Sequence, residues 1–482
     1  NDGILPLKKS GMKIAVLGPN ANDSTMLWGN YNGIPLSTVT IWQGIKAKAP
    51  SARLIEGCDY LHDNDKVNVG NIVGLAGDAD VVIFVGGISP RLEGEELPVE
   101  EPGFKGGDRL TIELPSVQSK LVSALKSAGK KVVFVNCSGS AVALTSEHSN
   151  ANAILQAWYG GEQAGTAVAD VLFGDYNPGG KLPVTFYAST SQLPEYEDYR
   201  MKERTYRYFT GKPLYPFGYG LSYTTFTRTV ESFDFDGETV TEKVTVKNTG
   251  DVQGKEVVTV FVEAPQGKLG KAARSLAAFA KTETLQPGES ETLTLTFPIA
   301  NLASYDDSGV TGHRFCYVLE SGAYNVYTGG CVRGAKLSGS FEVKEDTVTR
   351  TCVQACAPVT KFDRMVNHNN TIAFEPAPQR EYDMAARSAA ALKPAKPYTG
   401  DKGIKLGDVF DGKAELEDFV AQLSDEDLIC LMRGEGMNSP KVTAGTAGAF
   451  GGVTENLVNF GIPTACCADG PSGIRMDCGT VA

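Results

Sequence analysis

Histidine is scarce here, with four in 482 residues. None lies near Cys352 and Cys356, the one close cysteine pair outside an apolar segment, so a zinc site there lacks the usual donors. Basic charge is also in deficit. Lys and Arg number 45 against 57 Asp and Glu, a formal net charge of −12. That balance disfavours nucleic acid and anionic membranes as partners and is compatible with a neutral ligand such as a sugar. No apolar run approaches the roughly 18 residues of a transmembrane helix. No secretory leader is visible, although the first residue is Asn1 rather than Met, which leaves room for residues upstream. The glycine-rich turn GPNAN after KIAVL lacks the GxGxxG spacing, and Gly18-Pro19 removes a backbone donor that a phosphate would use, so a dinucleotide cofactor is not expected. The three tryptophans, Trp28, Trp42 and Trp158, are too scattered to define a sugar groove and read as core or interface residues.

Cysteine, by contrast, is plentiful at ten. Several sit inside apolar segments, such as Cys137 in KVVFVNC and Cys430 in DLICLM. That placement favours buried thiols over a disulfide framework, and thiol-rich cores suit a reducing cytoplasm.

The length fits about three domains. Over residues 1–222, short apolar runs alternate with helical patterns. KIAVL (13–17), DVVIFVGG (80–87), KVVFVN (131–136) and AILQAW (153–158) read as strands of a parallel sheet buried on both faces. Between them, a helix is expected from Pro115 to about Gly129, with Val117, Leu121, Val122 and Leu125 on one face. A further helix in GEQAGTAVADVLFG closes at Gly174. This pattern is an α/β sandwich, whose ligands are expected at the carboxyl ends of the strands. Over residues 223–348 the period changes to two. Val244 and Val246 alternate with Thr245 and Lys247, Leu293, Leu295 and Phe297 alternate with threonines, and turns fall at Asn248-Thr249-Gly250, Gln286-Pro287-Gly288 and Ser321-Gly322. A β-sandwich is expected. Residues 349–405, rich in Ala, Pro and polar side chains, read as a linker with a short helix in DMAARSAAAL. Two amphipathic helices then follow in 406–482, the second capped by Ser424. No internal repeat is present.

Two clusters carry chemistry. The loop after the second apolar run, SPRLEGEELPVEEPGFKGGDR, holds Glu93, Glu95, Glu96, Glu100 and Glu101, then Asp108-Arg109. Crowding and burial raise a carboxyl pKa, which is what a glycosidase acid needs to stay protonated until it donates to the leaving oxygen. On composition alone a solvated acidic surface loop is the plainer reading. The second cluster, ADGPSGIR, follows Gly461-Ile462-Pro463 and a short apolar stretch. Asp469, at the C-terminal end of a strand, is placed to accept hydrogen bonds from two sugar hydroxyls, with Arg475 holding that carboxylate or the sugar. An Asp-Gly-Pro turn is the plainer reading. The aromatic run YPFGYGLSYTTF (215–226) lies at a domain junction and reads as interface packing rather than a sugar platform.

The motifs WGNYNG, ISPRLEGEE with GGDR, AWYGGEQAGTAVADVLFGDYNPGGKLPVTF, PFGYGLSYTTF and ADGPSGIR together resemble glycoside hydrolase family 3 over nearly the whole chain. In the usual arrangement of that family a (β/α)8 barrel comes first, then an α/β sandwich, then a fibronectin type III-like domain. Here the sandwich leads, the β-sandwich follows, and 406–482 corresponds to the start of the barrel. The order resembles permuted β-glucosidases, and permutation is tolerable where termini lie together at a surface. The resemblance implies a multidomain α/β plus all-β chain. It implies a retaining, exo-acting β-glucosidase acting on a β-glucoside or oligosaccharide, with β-xylosides or a non-catalytic carbohydrate-binding remnant as alternatives. Glu95 matches the acid/base, with Glu93 and Glu96 as alternatives within EGEE, and Asp469 matches the aspartate that grips sugar hydroxyls. The family nucleophile is usually an Asp followed by Trp, or a close variant. No tryptophan here follows an Asp, and none lies in 406–482, so the nucleophile is expected outside this chain, on a second polypeptide that completes the barrel. No cofactor or metal is implied, and a homo-oligomer is compatible.

Overall fold

A computed structural model describes residues 1–482 except 63–68, 95–96, 355, 369–370, 393–394, 438, 471–473 and 475–482. Five parallel strands form the first sheet: β1 (Ile14–Leu17), β2 (Arg53–Leu54), β3 (Val81–Gly87), β4 (Lys131–Cys137) and β5 (Ala153–Gln156), in the order β2-β1-β3-β4-β5. Every residue of β1 and β3 is buried, which is why their sequences are unbroken apolar runs. Four of these strands lie where the apolar runs place them. The two-residue β2 has no such run.

Helix α1 (Ser116–Ser127) covers one face of the sheet with Val117, Leu121, Val122 and Leu125, as its periodicity predicts. Pro115 precedes it in an extended conformation, and Gly129 follows at φ +79°. Leu121 has no exposed surface, so truncating it to Ala costs about 2–5 kcal/mol. Helix α2 (Ala164–Leu172) is followed by Gly174 at φ +78°.

A β-sandwich follows. One sheet holds Phe226–Phe235, Thr239–Asn248 and Ser290–Pro298; the other holds Val257–Glu263, Ser275–Lys281, Gly322–Gly329 and Lys336–Val343. Val244 lies opposite Leu293 in the buried core, while the neighbouring pair Thr245 and Thr292 share a hydroxyl hydrogen bond of 2.9 Å on the exposed face. The alternation in the sequence is this in–out division. The aromatic run at 215–226 packs as an interface should: Phe217 stacks on Tyr206 with centroids 4.4 Å apart and meets Phe261 of the sandwich edge-on at 6.2 Å. Lys181 and Arg228 both pair with the buried Glu256, at 2.9 and 2.8 Å.

The stretch expected as linker, 349–405, differs from that expectation. It continues the strand Thr347–Thr351, forms an antiparallel pair from Asp363–His368 and Thr371–Pro376, and contains the anticipated short helix as Met384–Ala391. The pair is tied down by Asn367, whose Nδ2 donates to Lys271 O at 3.0 Å, and by Arg364, which joins Asp307 to Glu375. Its apolar residues Met365, Val366, Ile372 and Phe374 are diluted by flanking Pro and Ala, which hid the alternation.

The chain divides into two compact units: 1–22, 41–158 and 165–382 form one, and 23–40, 159–164 and 383–482 the other. In the second, helix α3 (Asp425–Arg433) begins at Ser424 in a capping box. Ser424 Oγ accepts from Asp427 N at 3.2 Å, and the Asp427 carboxylate accepts from Ser424 N at 3.0 Å. Phe419, Leu423, Leu457, Phe460 and Ile462 form its core. The strand expected to be parallel is Thr464–Cys467, but it pairs antiparallel with Gly448–Gly451. The connection between the two strands, 452–463, runs through the short helix Glu455–Asn459 and brings Thr464–Cys467 back beside Gly448–Gly451. No helix among the described residues is long and apolar enough to cross a membrane.

Candidate active site

The carboxyl end of β3 is fixed before the acidic loop begins. Gln118, fully buried on α1, brackets Gly87: its Oε1 accepts from Gly87 N at 2.9 Å, and its Nε2 donates to Gly87 O at 2.8 Å. Gly87 has φ +129°, and a Cβ there would stand 1.9 Å from Cys137 O, so β3 and β4 separate at a point only glycine fits. Asn20 holds the next carbonyl, Nδ2 donating to Ile88 O at 3.0 Å.

The chain then turns on Ser89, whose carbonyl accepts from Leu92 N at 2.8 Å and Glu93 N at 3.1 Å. Half-buried Glu93 points back to the end of β4. Its Oε1 accepts from Gly139 N at 2.9 Å and its Oε2 from Ser140 Oγ at 3.1 Å. Gly94 N donates to Gly107 O at 3.2 Å, closing the excursion. Gly107 lies at φ +85°, and a Cβ on it would meet Gly94 O at 1.8 Å. Beyond Gly94 the loop forms a small antiparallel sheet of Glu100–Glu101, Phe104–Lys105 and Asp108–Arg109, with Phe104 buried beneath it. Arg109 returns to the same strand end: Nη1 donates to Ser140 Oγ and Ala141 O, both at 2.9 Å. His62 faces this sheet, with Nε2 3.5 Å from Glu101 and Nδ1 3.6 Å from Asp59.

The acids of the loop therefore fall into distinct environments. Glu93 is an acceptor bound to β4's exit, whereas Glu100 is exposed. Glu95 and Glu96 lie outside the described residues, as does Arg475. Asp469 is half-buried just beyond the end of Thr464–Cys467. Sequence reasoning did not single out Ser140, Gly139 or Gln118. The available signal was SGS directly after a buried strand, where loops at carboxyl ends gather. Among the described residues no group of three or more His, Cys, Asp or Glu is arranged to hold a metal.

Residues 1–223 match the C-terminal domain of glycosyl hydrolase family 3, and residues 256–331 match a fibronectin type III-like domain. The chain carries the C-terminal domain of glycoside hydrolase family 3. It pairs the family's C-terminal α/β domain with a fibronectin type III-like β-sandwich, and the family's C-terminal domain standing first is consistent with a permuted order. A β-glucosidase of Ruminococcus albus is 47% identical over 345 residues, 69% of this chain and 36% of that protein. A xylan 1,4-β-xylosidase of Xylanibacter ruminicola is 36% identical over 63% of this chain and 52% of that protein. Among solved structures, a β-glucosidase from Paenibacillus barengoltzii aligns with 99% of this chain and 57% of its own, with a TM-score of 0.85 and 35% identity. The Listeria innocua β-glucosidase in complex with glucose aligns with 71% of this chain and 47% of its own, with a TM-score of 0.60 and 27% identity. The chain thus spans about half or less of the curated relatives it matches.

Proposed function

We propose that this chain is part of a retaining, exo-acting β-glucosidase that removes terminal non-reducing β-D-glucose. The observation that carries the reading is the alignment of 99% of the chain, at a TM-score of 0.85, with a β-glucosidase. The acidic loop at the carboxyl end of β3 is where an α/β sheet presents catalytic groups. Glu95 is the assigned acid/base, because Glu93 is already bound as an acceptor at Gly139 and Ser140. In the first step a carboxylate attacks the anomeric carbon while Glu95 protonates the departing glycosidic oxygen. In the second, Glu95 takes a proton from water, which displaces the carboxylate and releases the sugar with its configuration retained. The attacking carboxylate is an Asp of the barrel outside these residues, carried by a polypeptide that completes it. Asp469 grips hydroxyls of the terminal sugar, assisted by Arg475. A reducing cytoplasm is the proposed compartment, in keeping with the buried thiols of Cys137 and Cys316.

The xylosidase relative motivates a second reading, the same chemistry on β-xylosides. Kinetics of the whole protein on matched aryl β-glucosides and β-xylosides separates the two. A kcat/KM favouring the glucoside supports the first reading, and one favouring the xyloside replaces it. Absence of turnover on both returns the chain to a carbohydrate-binding role.

A further inference from the structure

We propose that the Ser140 hydroxyl is a positioning centre for the acid/base loop, gripping both ends of the excursion that bears Glu95; this rests on the glycosidase reading above. One hydroxyl serves two partners in complementary senses. It donates to Glu93 Oε2 at 3.1 Å and accepts from Arg109 Nη1 at 2.9 Å. Glu93 stands immediately before Gly94-Glu95, and Arg109 is where the loop returns. Each end has a second tether on the same turn, Glu93 on Gly139 N at 2.9 Å and Arg109 on Ala141 O at 2.9 Å.

The turn is itself fixed to the sheet. Ser138 Oγ donates to Ser140 O at 2.8 Å, and buried Asn136 Nδ2 donates to Ser138 Oγ at 3.1 Å and to Gln156 Oε1 at 2.7 Å. Both ends of the loop are therefore referenced to the ends of β4 and β5. A proton donor works only within hydrogen-bond reach of the leaving oxygen. A displacement of about 1 Å is enough to cost roughly 10²-fold. Glu93, Ser140 and Arg109 are thus positioning residues that act through Glu95.

The test is a substrate split on the whole protein. An alkyl β-glucoside needs its leaving oxygen protonated, whereas a dinitrophenyl β-glucoside does not. Ser140→Ala is expected to lower kcat/KM for the alkyl substrate by about 10- to 10²-fold and to leave the dinitrophenyl value near wild type. Glu93→Ala should show the same split, and Glu93→Gln should lose less, because its amide oxygen still accepts from Ser140. If Ser140→Ala does not fold, Arg109→Lys, which removes one of the two grips, should give the same split. Equal losses on both substrates, or no loss on either, overturn the proposal. So does a Glu93→Gln variant as damaged as Glu93→Ala and rescued by azide, because Glu93 would then be the proton donor. A wild-type protein that cleaves neither substrate defeats the glycosidase reading itself, a distinct result.

Discussion

Glu93 and Arg109 meet on one hydroxyl: Ser140 Oγ donates to the first at 3.1 Å and accepts from the second at 2.9 Å. The two residues bracket the segment that carries Glu95, so both feet of the loop stand on the exit of a central strand.

Replacing Glu95 with Ala removes the proposed proton donor. General acid catalysis contributes about 10²–10⁴-fold, so kcat/KM should fall by that order for alkyl glucosides and far less for dinitrophenyl glucosides, with azide restoring turnover. Retention of full activity in Glu95→Ala, with its loss in Glu96→Ala, would move the role by one residue.

Gly107→Ala should loosen the loop's neck. The new Cβ would stand 1.8 Å from Gly94 O at a backbone angle of φ +85°. The strain is about 1–3 kcal/mol. Hydrogen exchange at the amides of 94 and 106 should accelerate, and unchanged exchange would show that the neck tolerates a methyl group.

Asp469→Asn should weaken binding of the terminal sugar in the transition state. Two charge-assisted hydrogen bonds at about 1.5–3 kcal/mol each correspond to a kcat/KM loss of roughly 10²–10⁴-fold. A near-normal kcat/KM would remove Asp469 from the site.

Acid should release the cap of α3. Burial pushes the Asp427 carboxyl up, but hydrogen bonds from Ser424 and Asn456 outweigh it and hold the group below the usual carboxylate range. A depressed folded-state pKa stabilises fully above the unfolded value of about 3.9 and is lost as pH falls through the folded value. Asp427→Ala should therefore destabilise the second unit by about 0.5–2 kcal/mol near neutral pH, and by progressively less below about pH 4. A pH-independent difference would contradict this.

The parts of the fold legible in the sequence are those where burial imposes a period. β1, β3 and β4 are buried throughout almost their whole length and appear as unbroken apolar runs; Val244 and its neighbours alternate because one face of their sheet is wet. Ser424 was visible as a cap because capping is local. What stayed hidden depends on partners distant in sequence. Glu93 and Ser140 are 47 residues apart and meet only because β3 and β4 are parallel neighbours, and Asn367 reaches Lys271 across 96 residues. The strand near Asp469 pairs antiparallel with Gly448–Gly451, and the direction of a partner strand is something the apolar pattern does not encode.

Retaining hydrolysis of a β-glucoside fixes which anomer of glucose is released first. Proton NMR of an aryl β-glucoside during its first minutes of cleavage by the whole protein should show the β-anomer of glucose appearing first, with the α-anomer growing only by mutarotation. Initial release of the α-anomer, or no cleavage at all, would contradict the account.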